Sequence, residues 1–224
     1  MIGALLILDQ DSNASKFIHH KFAGRSIAEH SATAYLRAEQ IQRVIMIMPQ
    51  SERKYVSGTS VQSSLFSKDR VDTSKKLDVE FYVKNADEVS FAHQVAVNYS
   101  LDHVVIGKIT SGLMPRWFIN DVVYRYFSIN SSLGAASNFD EHFSINVMPF
   151  WELARIASHS DDRRFGALQL PKLEIENSGE CAITRCKHKL TLETLEQTDL
   201  LNFMYSESMM GVDINDIIEE VNDK

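Results

Sequence analysis

Glycine is missing from the whole stretch between Gly3 and Gly24, and arginine from everything before Arg25. A loop that cradles phosphate on bare backbone N–H groups needs glycine for close approach, so the first loop of this chain is not built in that way. Cysteine is scarce: Cys181 and Cys186 lie in CAITRC. A C-x₄-C pair without a second pair is a poor zinc signal, even with His188 nearby, and the spacing reads as two plain thiols near a strand. Such cysteine usage points to a reducing compartment, and the expected location is cytoplasmic. No apolar run approaches ~18 residues, so no membrane span is expected. The amino-terminal apolar stretch is short and lacks a basic flank, so no signal peptide is expected. Basic residues are in deficit, with 23 Lys and Arg against 30 Asp and Glu and a net charge of −7. That balance argues against nucleic acid or an anionic membrane as partner, but a nucleotide needs only a local cluster of donors. Internal repeats and low-complexity tracts are also absent.

What is present is an ordinary soluble composition, 44% apolar and 24% charged, over 224 residues, enough to bury a real core in one large domain or two small ones. Residues 4–8 (ALLIL) form a buried strand, followed by Asp9, Gln10, Asp11, Ser12, Asn13, Ser15 and Lys16. Ser26 and Glu29 make an S-x-x-E capping box, after which Ile27, Ala34, Tyr35, Ala38 and Ile41 share a helical face. Residues 44–48 (VIMIM) read as a strand buried on both faces, stopped by Pro49. The stretch 51–76 is rich in Ser, Lys and Asp, with some helix expected. A strand at 79–83 then leads to a helix with acids in its first turn and an inner face of Val89, Ala92, Val95, Ala96 and Tyr99. HVVIG (103–107) is a fourth strand, and Pro115 opens a helix facing inward through Phe118, Val122 and Tyr126.

Alternating strand and helix predicts a mostly parallel sheet with helices on both faces. The small polar run NSSLGAASN, 130–138, reads as a break. Beyond it come strands at 143–148, 172–176 and 189–194, a helix at 150–159, and closing helices near 196–205 and 213–222. The expected organisation is a single α/β domain over 1–224: an α/β half at 1–130, a smaller β-rich sub-region at 138–195, and closing helices at 196–224.

Three stretches carry a family resemblance. SKFIHHKFAGRSIAEH resembles a loop with a glycine-lysine pair and, further on, glycine-lysine-proline before a helix; Lys16 falls on the loop lysine and Gly24-Arg25 on the second pair. VVIGKITSGLMPRWFINDVV resembles a strand, then G-D-x-P, then a helix, and KLTLETLEQTDLLNFMY with DINDIIEEV resembles an R-L-T-V-D-T-x-E-D-L close. FSINVMPFWELARIA matches the strand and helix between them. In order and spacing the chain resembles the sugar-activating cytidylyltransferases: the 3-deoxy-manno-octulosonate and acylneuraminate enzymes, and most of all the spore coat polysaccharide biosynthesis protein F group. The resemblance implies a Rossmann-like nucleotidyltransferase fold, with the nucleotide on the 1–130 half and the sugar and a dimer contact on 138–195. It implies condensation of a nucleoside triphosphate with a sugar for surface polysaccharide, releasing pyrophosphate.

The residues such chemistry needs are only partly here. Leaving pyrophosphate gains charge, so cations must hold it; the candidates are Lys16, Arg25 and Lys108, with Ser12 on the first loop. Each has a plain alternative as a solvated surface residue. The family's G-D supplies an Mg²⁺-binding carboxylate at the end of the central strand, where this chain has Gly107-Lys108. Lysine cannot ligate Mg²⁺, which takes oxygen, so either Lys108 holds phosphate without metal or it marks lost function. The family's later D-x-E falls on Ser144 and Asn146, with Asp140 and Glu141 just upstream as substitutes or as a solvated acidic turn. Mg²⁺ is expected only if the chain is an active enzyme, and otherwise no cofactor. Adjacent His19 and His20 point opposite ways on an extended segment and read as exposed loop histidines.

Three functions stand. One is a divergent cytidylyltransferase-like protein with lost or much reduced transfer, acting on a nucleotide or sugar nucleotide. Another is an active nucleotidyltransferase with unusual metal ligands. The third is a non-enzymatic α/β interaction domain. A homodimer is expected, and Phe143, Ile145, Val147, Phe150 and Trp151 suggest an apolar surface for it.

Overall fold

A computed structural model describes residues 1–8, 18–19, 21–22, 25–56, 75–83, 87–111, 114, 116–129, 134–137, 144–159, 170 and 173. In chain order the elements are β1 (Ile2–Ile7), β2 (Lys21–Phe22), β3 (Arg25–Ser26), α1 (Ile27–Arg37) and β4 (Arg43–Pro49). A 3₁₀ turn (Gln50–Glu52) and the short α2 (Arg53–Val56) follow. Then come β5 (Lys76–Tyr82), α3 (Glu88–Asn98), β6 (His103–Lys108), α4 (Arg116–Ser128), β7 (Ala135–Ser137), β8 (Ile145–Pro149) and α5 (Phe150–His159).

One six-stranded sheet, in the order β5-β4-β1-β6-β8-β7, organises the chain, and β2 and β3 make a separate small hairpin. The strands β5, β4, β1 and β6 run parallel, whereas β8 pairs antiparallel with both β6 and β7. Along β1 the side chains alternate. Ala4 and Leu6 enter a core with α1 and α4, and Leu5 and Ile7 enter a second core with α3 and α5. A strand buried on both faces must be apolar throughout, which is why ALLIL and VIMIM carry no polar residue. The chain moves from β1 to β4 with α1 on one face, then returns from β5 past β4 and β1 to β6 with α3 on the other. Right-handed crossovers in opposite directions require that arrangement.

The capping box is formed. Ser26 has an extended backbone, its hydroxyl accepts from the Glu29 N–H at 3.2 Å, and Glu29 accepts in return from the Ser26 N–H at 2.7 Å. Two of the helix's orphan donors are thereby satisfied. Ser26→Ala is expected to destabilise the protein by about 1 kcal/mol, a fall in melting midpoint of roughly 2–4 °C. Calorimetric melting reads this directly, and an unchanged midpoint would show that the box contributes nothing.

The segment 130–138 is not merely a break. Its residues Ala135–Ser137 form the edge strand β7, in register with Ile145–Val147 of β8. Alanine and serine carry little strand preference, so the ladder to β8 makes this strand, not its own pattern. The apolar set near β8 also divides between the two cores. Ile145 and Val147 are buried on the α1 and α4 side, whereas Phe150 packs into the other core and stacks on His93 at 5.3 Å. Trp151 is 48% exposed, and Phe143 lies outside the described residues. So do the strand expected at 189–194, the closing helices, and all but Leu173 of the strand expected at 172–176. Among the described residues no helix is long and apolar enough to cross a membrane.

Candidate functional site

Between β1 and β6 the connections leave in opposite directions, the first toward β4 and the second toward β8. In a parallel sheet such a point opens a crevice outside the carboxyl ends of the strands, and ligands bind there. Around that crevice stand Leu8 at the end of β1, the 3₁₀ turn after β4, Tyr82 at the end of β5, and Gly107-Lys108 at the end of β6.

Side chains rather than glycines secure this edge. Tyr82, 2% exposed, reaches across β4 and donates its hydroxyl to the Leu8 carbonyl at 2.5 Å. The Leu8 N–H in turn donates to Ile47 O at 3.0 Å. Ile18 is fully buried in the α1-side core. Next to it, His19 Nε2 lies 2.6 Å from Glu52 Oε2. An ionised carboxylate only accepts, so the ring nitrogen carries the proton in that bond. Glu52 is 6% exposed. His19 is thus no exposed loop histidine: its partner arrives from the far end of β4, which adjacency in sequence does not reveal.

On the β6 side the contacts come from α1. Ser31, fully buried, donates its hydroxyl to Ile109 O at 2.5 Å, and the Ile109 N–H donates to Ile7 O at 3.0 Å. Tyr35 lies fully buried over Gly107, so close that a Cβ on Gly107 would sit 2.1 Å from its hydroxyl oxygen. That hydroxyl has no hydrogen-bond partner among the described residues, and burial pushes its pKa up. Glycine at 107 is therefore a packing requirement of α1 on β6.

Two of the expected phosphate ligands can be placed. Lys108 is the exposed last residue of β6, in register with Ile7 of β1. Strand alternation sets it on the same side as Val104 and Ile106, the α3 side. Arg25 is half-buried on β3, immediately before α1, and so belongs to the opposite side. Both belong to the carboxyl edge but approach it from its two faces. Ser12, Lys16, Asp140 and Glu141 lie outside the described residues. Asn146 pairs with Ile106, and half-buried Ser144 directly precedes β8. Arg53 stands at this edge too, its guanidinium 5.7 Å from the Phe81 ring centre. Neither it nor Glu52 belongs to any motif in the sequence. The other buried carboxylate among the described residues, Glu152, is held by Arg155 at 2.7 and 2.8 Å. Because β8 runs antiparallel to β6, Glu152 lies at the opposite edge.

The candidate metal carboxylates Asp140 and Glu141 lie outside the described residues. At the strand end stands an ammonium with no lone pair to give, and among the described residues no cluster of three or more His, Cys, Asp or Glu could hold a metal.

No protein-family model matches the sequence, and no curated protein matches it either. Solved structures do. A cytidylyltransferase from Leptospira borgpetersenii serovar Hardjo-bovis aligns with a TM-score of 0.73 at 12% identity, over 99% of this chain and 93% of that one. A 4-diphosphocytidyl-2C-methyl-D-erythritol synthase from Anaerococcus prevotii gives 0.58 at 8% identity, over 90% and 96%. A CMP:2-keto-3-deoxy-manno-octonic acid synthetase solved with CTP gives 0.55 at 7%, over 78% and 89%. The chain has the nucleotidyltransferase fold, a mixed α/β sheet flanked by helices, as the cytidylyltransferases do. Identities this low establish the fold alone.

Proposed function

We propose that this protein binds a nucleoside triphosphate, CTP in the first instance, at the carboxyl edge between β1 and β6. We further propose that it has lost nucleotidyl transfer or keeps very little of it. The carrying observation is Lys108, an exposed cation at the end of β6 beside the switch point. It brings positive charge to the phosphates but gives a metal nothing to coordinate. Arg25 supplies a second cation from the other face of the edge. Its planar fork suits a phosphate oxygen pair, whereas Lys108 acts as a point charge. Phosphate between them would lie across the top of the sheet edge, with Lys16 and Ser12 as further ligands from the first loop. Such a protein would serve surface polysaccharide synthesis as a non-catalytic partner or as a sensor of nucleotide or sugar nucleotide.

Melting with CTP, with and without Mg²⁺, tests binding, because a ligand of the native state raises the midpoint by mass action. The expected result is a rise with CTP that does not need Mg²⁺, and no pyrophosphate release with common sugar acids. Multiple turnovers that stop on adding a chelator would overturn the loss of transfer and favour the active-enzyme reading, with Asp140 or Glu141 as a metal ligand.

A further inference from the structure

We infer that Glu52 and Tyr82 are positioning residues for the ligand at this edge, Glu52 acting through His19 on the hairpin that carries Arg25. The inference rests on the nucleotide reading above and adds to it the residues that orient the site. Three observations support it. First, Glu52 is 6% exposed, and its bond to His19 spans 2.6 Å between two segments 33 residues apart. A carboxylate loses much of its hydration there, and an apolar pair of similar volume would serve stability as well. What the polar pair adds is a single fixed geometry. Second, His19 stands just before the β2–β3 hairpin, in which Lys21 pairs with Ser26 and Phe22 with Arg25. Ser26 is the N-cap of α1. Arg25 is therefore held by the hairpin ladder, by the capped helix start, and through His19 by β4. Third, Tyr82 fixes the Leu8 carbonyl at 2.5 Å, at the point where the chain leaves β1. Both ends of the connection from β1 to the hairpin are thus tied to the β4 and β5 side of the sheet.

A guanidinium that meets phosphate through two parallel N–H bonds loses affinity when its angle drifts. Loosening His19 should therefore weaken a triphosphate and leave the nucleoside alone.

The test is calorimetric titration of the full chain with CTP and with cytidine. The variants are Glu52→Gln, which keeps shape, Tyr82→Phe, which removes one oxygen, Arg25→Ala, and Glu39→Gln as an exposed control. The expected result is a roughly tenfold loss of CTP affinity in Glu52→Gln and Tyr82→Phe, an unchanged cytidine affinity, and no change in Glu39→Gln. In the Arg25→Ala background, Glu52→Gln should have no further effect, because it acts through that arginine. Equal losses for CTP and cytidine, full additivity with Arg25→Ala, or wild-type CTP affinity in both positioning variants would each overturn the inference while nucleotide binding stands. A wild-type chain that binds no CTP would instead overturn the nucleotide reading and this inference together.

Discussion

Gly107→Ala is expected to destabilise the protein by about 3 kcal/mol, which lowers the melting midpoint by roughly 6–12 °C in a domain of this size. The added Cβ would sit 2.1 Å from the Tyr35 hydroxyl oxygen and 2.9 Å from its ring carbon Cζ. Neither atom can retreat easily, because Tyr35 is fully buried between α1 and the sheet. Relief therefore means shifting the helix, and with it the Ser31 bond to Ile109 beside Lys108. Tyr35→Phe alone is expected to be neutral or slightly stabilising, because the hydroxyl it removes is buried without a partner. The decisive comparison is a double-mutant cycle. In a Tyr35→Leu background, Gly107→Ala should keep less than half of its effect, since the clashing atoms are gone. Urea unfolding of the four proteins measures it, and an undiminished loss would place the clash elsewhere.

His19→Ala should destabilise the protein by about 2 kcal/mol, more than a surface ion pair is worth. The loss comes less from the broken bond than from what is left behind. Among the described residues, Glu52, 6% exposed, would keep only the Ser51 hydroxyl, a weak partner 3.4 Å from its other oxygen. A buried carboxylate left with so weak a partner carries most of its desolvation penalty. The figure is held below that of a fully buried pair because the His19 side chain is 27% exposed and water reaches it. The sign of the coupling is the test. Adding Glu52→Leu to His19→Ala removes the stranded charge, so the double variant should be more stable than His19→Ala alone. A double variant less stable than either single one would mean that Glu52 contributes through contacts other than His19.

Most of the scaffold was legible in the sequence, and for a physical reason. Short continuous apolar runs such as ALLIL and VIMIM, bounded by polar residues or proline, fit strands buried on both faces, and an apolar face repeating every three or four residues fits a packed helix. The Ser26–Glu29 box and the Asp87 cap, which accepts from Val89 and Ser90, lie within one turn of the residues they serve. Their chemistry is local, so their spacing announces it. The same holds for α5, whose bounds Phe150–His159 follow from its apolar periodicity. Lys108 at the end of its strand was equally visible, because strand ends are read from neighbours in the chain.

Tertiary structure alone decided the rest. Edge strand β7 exists because β8 offers it a ladder, and no pattern in Ala135–Ser137 foretells that. Glu52 meets His19 across 33 residues, Tyr82 meets Leu8 across 74, and Ser31 meets Ile109 across 78. A glutamate in a polar stretch, a tyrosine ending a strand and a serine within a helix have many possible partners. Only the order β5-β4-β1-β6, which brings the ends of four parallel strands to one edge, selects among them. Gly107 shows the same limit from the other side: the sequence marks it only as the first residue of the pair that matches the family's G-D, and its reason is the Tyr35 ring packed against it from a helix 72 residues earlier in the chain.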